Sequence, residues 1–119
     1  MANNRKHVLG KYGENAAAEF LKRQGYEIVE RNWHCRSGEI DLIARENDSW
    51  VFVEVKTRSS ATSIPGFEAV DELKLQKLRR SIAQWCAARQ VVSAKLRLDV
   101  VSVFLNSGSV KFEHLKQVF

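Results

Sequence analysis

Residues 50–58, WVFVEVKTR, place Val51, Val53 and Val55 on one side and Trp50, Phe52, Glu54 and Lys56 on the other. Strict alternation of this kind predicts a β-strand. Upstream, GEIDLIARE predicts a second strand, joined to the first by Asn47-Asp48 as a tight turn. YEIVER, running into Trp33, predicts a third, with Ser37-Gly38 as the turn after it. The period changes to 3.6 between about Gly10 and Gln24, where Gly13, Ala16, Ala17, Phe20, Leu21 and Gln24 gather on one side. That predicts a helix, stopped by Gly25. Residues 1–8 lack this pattern and read as a flexible basic tail. After a polar loop from Ser59 to Gly66, a long helix is expected from about Glu68 or Asp71 to Gln90, then strands LRLDVVSVF and VKFEHL around a turn at Asn106 to Ser109. The order α-β-β-β-α-β-β predicts an α/β domain. An antiparallel three-strand meander is followed by a helical crossover, which lays the fourth strand parallel to the third. The outcome is one mixed β-sheet flanked by helices.

The hairpin turn fixes a register. Glu46 faces Ser49, Ala44 faces Val51, Leu42 faces Val53 and Ile40 faces Val55, which makes one face wholly apolar. A slip of one residue would break that match. On the other face Arg45 opposes Trp50, Ile43 opposes Phe52, Asp41 opposes Glu54 and Glu39 opposes Lys56. Cross-strand partners have Cβ atoms roughly 4.5–5.5 Å apart, so Asp41 and Glu54 repel unless a proton or a cation intervenes. A hard divalent cation such as Mg²⁺ or Mn²⁺, held by one or two carboxylates plus water and phosphate, would relieve them. Lys56, one pleat beyond Glu54, would then sit beside that ion. There it could stabilise charge on an attacked phosphate or orient the attacking water. The bland alternative is a solvated outer face with a Glu39–Lys56 surface ion pair worth little. Glu-x-Lys alone is too short to decide between them.

Length and charge narrow the field. The chain has 119 residues, room for a single domain spanning 1–119, and a net charge of +5. The positive balance favours polyanionic partners such as nucleic acid. No apolar run reaches membrane-spanning length and the start carries no secretory h-region, so the expectation is a cytoplasmic protein with no membrane partner. Cys35 and Cys86 stand apart from any spaced Cys/His cluster, which argues against structural zinc. His7, His34 and His114 are scattered and read as surface residues.

Together the stretches GKYGENAAAEFL, GYEIVERN, GEIDLIA, VFVEVKTR, FEAV with Lys74, and RLDVV resemble the small bacterial YraN-like family. That family is similar to archaeal Holliday junction resolvases, and Asp41 followed by Glu54-Val55-Lys56 looks like the motif of the PD-(D/E)xK, restriction-endonuclease-like superfamily. The resemblance implies that Asp41 and Glu54 are metal-binding acids, with the Val55 carbonyl as a further ligand and Lys56 as the catalytic lysine. It also implies a catalytic, metal-binding role for Glu14, which helix geometry puts at the edge of the buried face. The alternative for Glu14 is a first-turn acid favoured by the helix dipole. Glu39 matches the family's GEID stretch, as a support pairing with Lys56. Ile40 stands where the superfamily's proline would precede Asp41.

On the long helix Leu75, Leu78, Ile82, Trp85 and Cys86 form the core face, and Lys74, Lys77, Arg80, Ser81 and Gln84 fall opposite. Such a basic face is ordinarily solvated surface. Here it follows the end of the Glu54–Lys56 strand, so Lys74, Lys77 and Arg80, with Arg58, are candidate nucleic-acid contacts. Glu68 also matches the family. Asp99, in mid-strand, is either a support for the site or half of a core ion pair near Arg97. The expected function is a metal-dependent endonuclease hydrolysing DNA phosphodiesters, with branched or structured DNA implied by the resolvase likeness and RNA left open. Two active sites for a symmetric junction would imply a homodimer. The alternative is a nuclease-fold module that binds nucleic acid or a partner without cleavage.

Overall fold

The chain is described by a computed structural model that covers residues 2–59, 71–92 and 94–118. Its elements are α1 (Ala2–Arg23), β1 (Glu27–Cys35), β2 (Gly38–Glu46), β3 (Ser49–Ser59), α2 (Glu72–Ala88), β4 (Lys95–Asn106) and β5 (Ser109–Leu115). The strands form one five-stranded sheet in the order β1-β2-β3-β4-β5. β3 and β4 are parallel and every other neighbouring pair is antiparallel. The α/β class, the meander and the parallel crossover all match the pattern-based expectation. No helix among the described residues is long and apolar enough to cross a membrane.

Alternation along the strands puts one helix on each face. Ala17, Ala18 and Leu21 of α1 pack on Leu42, Ala44, Val51, Val53, Val101 and Val103. On the other face Leu78, Ile82 and Trp85 of α2 pack on Ile43, Phe52 and Leu98. Trp85 meets Trp50 and Phe52 edge-on, with ring centroids 5.1 and 5.4 Å away. Both faces of β3 are therefore core near its start, and each buried large side chain contributes about 1.5–3 kcal/mol.

Two features differ from expectation: the start of α1 and the face taken by Ile40. Helix α1 begins at Ala2, not near Gly10, so residues 2–9 are drawn into the helix. Nothing in that stretch breaks a helix, and extension from a nucleated helix is easier than nucleation. Of the two starts offered for α2, the structure takes Asp71, as its cap: its Oδ1 accepts the Lys74 N–H at 2.8 Å. Glu68, with the FEAV stretch, lies outside the described residues. Ile40 leaves the face it was expected to share with Leu42 and joins the α2-side cluster. The β2–β3 register runs from Glu46–Ser49 to Leu42–Val53 in the expected pairing and stops there.

A buried polar network extends beyond the Asp99–Arg97 pair that the sequence offered. Asp99 is fully buried, where it accepts from Arg97 Nε at 2.9 Å, the Gln117 N–H at 3.0 Å and Tyr26 Oη at 3.2 Å. His114 Nε2 lies 2.7 Å from Asp99, and its side chain is one-tenth exposed, so His114 is an interior residue and not a surface one. Arg97 also reaches Glu46 at 2.9 Å. Burial alone would push the Asp99 carboxyl up. The His114, Arg97 and Gln117 hydrogen bonds outweigh it and hold the group at about 2. Of its two sequence readings, Asp99 takes the core ion pair.

Candidate active site at the open end of the β2–β3 hairpin

Where the β2–β3 ladder stops, side chains take over from the backbone. Asp41 Oδ2 accepts the Val55 N–H at 2.8 Å. Asp41 thus keeps its position opposite the Glu54–Val55 step without being a ladder partner of Glu54. Both acids are nearly inaccessible, at 9% and 8% exposure. The Asp41 carboxyl is pushed up to about 7, first by burial, then by the charge of Glu54, against the pull of the Val55 N–H. Glu14 and Glu39 add smaller repulsions. The repulsion expected from the hairpin is present.

Glu54 is differently served. Its Oε1 lies 3.6 Å from Lys56 Nζ and 3.1 Å from Lys74 Nζ. Burial pulls the Lys56 ammonium below the usual lysine range, the adjoining Lys74 pulls it further, and Glu54 opposes both. A lysine held in this way is a compact donor beside two acids.

Two cavities flank the acids, and Asp41 lines both. One, of 210 Å³, lies between β2–β3 and α2, lined by Ser37, Glu39, Glu54, Lys74, Lys77 and Ser81 among others. At about 30 Å³ per water it has room for several waters. The other, of 350 Å³, lies on the α1 side with Glu14, Val55, Lys56 and Thr57. Gly13 explains how α1 comes so near. A Cβ there would sit 1.8 Å from Thr57 Oγ1 and 2.9 Å from Thr57 Cβ. Only glycine lets the helix cross β3 at Thr57, and that crossing delivers Glu14 to the Asp41 side.

The remaining sequence candidates divide. Lys74 and Ser81 belong to the sheet-facing side of α2, not to its solvent side: Ser81 is buried and Lys74 is bonded to Glu54. Lys77 and Arg80 are exposed, as expected. Glu39 pairs with His34 at 3.5 Å and not with Lys56, because Glu54 and Lys74 surround that lysine. Arg58 is half-buried, and its Nε has no hydrogen-bond partner among the described residues. Sequence reasoning missed Ser37 and Ser81. Ser81 lies 3.5 Å from Cys35 Sγ, and Gln84 donates to Ser37 Oγ at 2.7 Å. No local pattern marks either serine. Gly13 carried a signal, a glycine on a buried helix face.

Among the described residues no group of three His, Cys, Asp or Glu side chains converges as a ready metal cage. The donor chemistry is two buried, mutually repelling carboxylates with a cavity beside them. That set fits a hard cation that takes one or two protein carboxylates and fills its shell with water and phosphate. It does not fit a soft metal or one enclosed by protein alone.

A family model described as "Uncharacterised protein family UPF0102" matches residues 13–103. A UPF0102 protein of Beutenbergia cavernae is 49% identical over 115 residues, covering 95% of this chain and 97% of that protein. One from Paenarthrobacter aurescens is 47% identical, covering 95% and 94%, and one from Parafrankia sp. is 46% identical, covering 93% and 95%. The matched span holds every element of the acid site, from Gly13 and Glu14 through Asp41, Glu54 and Lys56 to Lys74. The chain belongs to the UPF0102 family, the YraN-like family that its motifs resemble.

Proposed function

We propose that this protein is a divalent-cation-dependent nuclease of the restriction-endonuclease-like superfamily, cutting phosphodiester bonds at the Asp41–Glu54–Lys56 site. One observation carries the reading: two buried carboxylates adjoin, that of Asp41 raised by burial and by the charge of Glu54, with a lysine beside them and a cavity open to a basic helix. Asp41 and Glu54 would hold Mg²⁺ or Mn²⁺, with the Val55 carbonyl and Glu14 completing the protein's share. The ion, when bound, supplies charge for the phosphoryl oxygens and acidifies a water. Lys56 donates to the developing negative charge or orients the attacking water, from a fixed place on β3. Exposed Lys77 and Arg80 bind flanking phosphates and give the affinity its salt dependence. The substrate is DNA, branched or structured by the resolvase likeness, and two sites on a symmetric junction call for a homodimer.

A second reading has its own observation. Glu54 is held by two lysines, and no three donors converge among the described residues. A nuclease-fold binding module without cleavage would look the same. A cleavage assay separates them: branched, single-stranded and duplex DNA, and RNA, with Mg²⁺ or Mn²⁺ against chelator. Cation-dependent products lost in Asp41→Asn and in Lys56→Ala support the nuclease. Retained binding with no products from any substrate supports the module.

A further inference from the structure

Two ammonium groups converge on one oxygen of Glu54, and the nearer belongs to Lys74. Its Nζ is 3.1 Å from Oε1, against 3.6 Å for Lys56. Asp41, the other acid, has a peptide N–H and no lysine within ion-pair distance among the described residues. The two acids are therefore unequally served. Glu54 already has two cations on it, and Asp41 has only the Val55 N–H.

Lys74 is held there by more than one device. It lies in the first turn of α2, whose start is fixed by Asp71 accepting the Lys74 N–H. Leu78, Ser81, Ile82 and Trp85 anchor the helix against the sheet, so the Lys74 stem points inward. A positive charge in the first turn opposes the helix dipole. The Glu54 carboxylate is what makes that position tolerable. The Lys74 side chain is nevertheless about a third exposed, more than that of Lys56, at 35% against 22%. Of the two lysines, Lys74 has the more open way out to solvent.

A divalent ion held by Glu54 adds positive charge beside an ammonium that already sits on Oε1, and an ion taking both carboxylate oxygens also needs the one Lys74 contacts. We propose that Lys74 is a positioning residue acting as the resident counter-ion of Glu54, and that it is displaced when a divalent cation binds the acid pair. The inference rests on the nuclease reading above and adds to it that the metal must compete with the protein's own lysine. Cation affinity in the free protein is set low by this competition, and the displaced ammonium is left at the mouth of the 210 Å³ cavity, beside Lys77.

The test is calorimetric titration of Mn²⁺ alone into four full-length proteins: wild type, Lys74→Met, Lys74→Arg and Lys77→Met. Methionine keeps the apolar stem and removes the charge. Lys77 lines the same cavity without an ion pair to Glu54, so Lys77→Met controls for loss of general positive charge, and melts in chelator check folding. Lys74→Met should bind Mn²⁺ about tenfold more tightly than wild type, equivalent to about 1.4 kcal/mol. Lys74→Arg should stay near wild type, and Lys77→Met should change affinity no more than about twofold, because exposed charges are screened. Equal affinity in wild type and Lys74→Met, or weaker binding in Lys74→Met, overturns the exchange and leaves the metal site standing. Tightening of the same size in Lys77→Met also overturns it, as a general charge effect. No Mn²⁺ binding in any of the four, even with Glu54 released, overturns both the exchange and the metal reading.

Discussion

Replacing Asp41 with asparagine should make the metal-free protein more stable at neutral pH. The amide that replaces the carboxylate keeps an oxygen to accept the Val55 N–H, so the hydrogen bond at 2.8 Å survives. Only the charge is lost. The Asp41 carboxyl stands at about 7 in the fold against 3.8 ordinarily. Between those values the folded protein holds a proton that the unfolded chain has released, so stability falls as pH rises through the window. At about 1.4 kcal/mol per pH unit, the penalty at pH 8 is about 4 kcal/mol. Asp41→Asn should therefore match wild type near pH 4 and gain on it steadily to about pH 7. With roughly 4 °C per kcal/mol, between the values for smaller and larger domains, the gain in Tm at pH 8 is about 15 °C. The assay is thermal melting in chelator from pH 4 to 8, read as the difference between variant and wild type, which cancels the other titrating groups. Adding Mn²⁺ at pH 8 should raise the wild-type Tm by mass action and leave Asp41→Asn unmoved. A difference that does not change with pH, or a variant less stable than wild type at pH 8, would refute the reasoning.

Other expectations are read the same way. Lys56→Ala should still bind Mn²⁺ in a calorimetric titration but give no cleavage, since its role is with phosphate and water; retained cleavage removes it from the chemistry. Gly13→Ala should cost about 1–3 kcal/mol in denaturant unfolding, because a Cβ 2.9 Å from Thr57 Cβ forces α1 off β3. Thr57→Ala should recover part of that loss. Asp99→Asn should destabilise by about 3–5 kcal/mol, because it leaves the buried Arg97 guanidinium without its counter-charge and replaces one of the two acceptor oxygens with an NH₂ that cannot accept. In wild type the stability that Asp99 adds through its lowered pKa, about 2 kcal/mol, is present above pH 4 and fades as pH falls through about 2. Under the nucleic-acid reading, Lys77→Ala and Arg80→Ala should each lower the slope of log affinity against log salt by about one, as scored by DNA anisotropy titrations.

The strands were legible because their alternation is strong and their turns carry the right residues. Asn47 takes φ 56 and Gly25 φ 96, as a tight turn and a helix stop require. The five register pairs from Glu46–Ser49 to Leu42–Val53 follow from one apolar face. The register then stops where Asp41 uses its side chain on the Val55 N–H, a choice that no period-two pattern encodes. Ile40 changes faces at the same step. Lys74 was legible as a residue of interest but not in its place. Helical projection alone assigned it to solvent, whereas its long stem lets it reach Glu54 from the edge of the buried face. Asp99 beside Arg97 was legible as an ion pair, but the rest of its network was hidden, because Tyr26 and His114 are far from it in sequence and reach it only in the folded sheet.

The account turns on Asp41 and Glu54 jointly holding one cation. The most direct measurement is anomalous diffraction from crystals of the wild-type protein soaked in Mn²⁺, with Asp41→Asn crystals soaked alongside. A single strong anomalous peak is expected within coordination distance of carboxylate oxygens of both Asp41 and Glu54, absent from the variant, with Lys74 Nζ moved off Glu54. Soaked wild-type crystals with no peak at the acid pair, or with one that persists unchanged in Asp41→Asn, would contradict it.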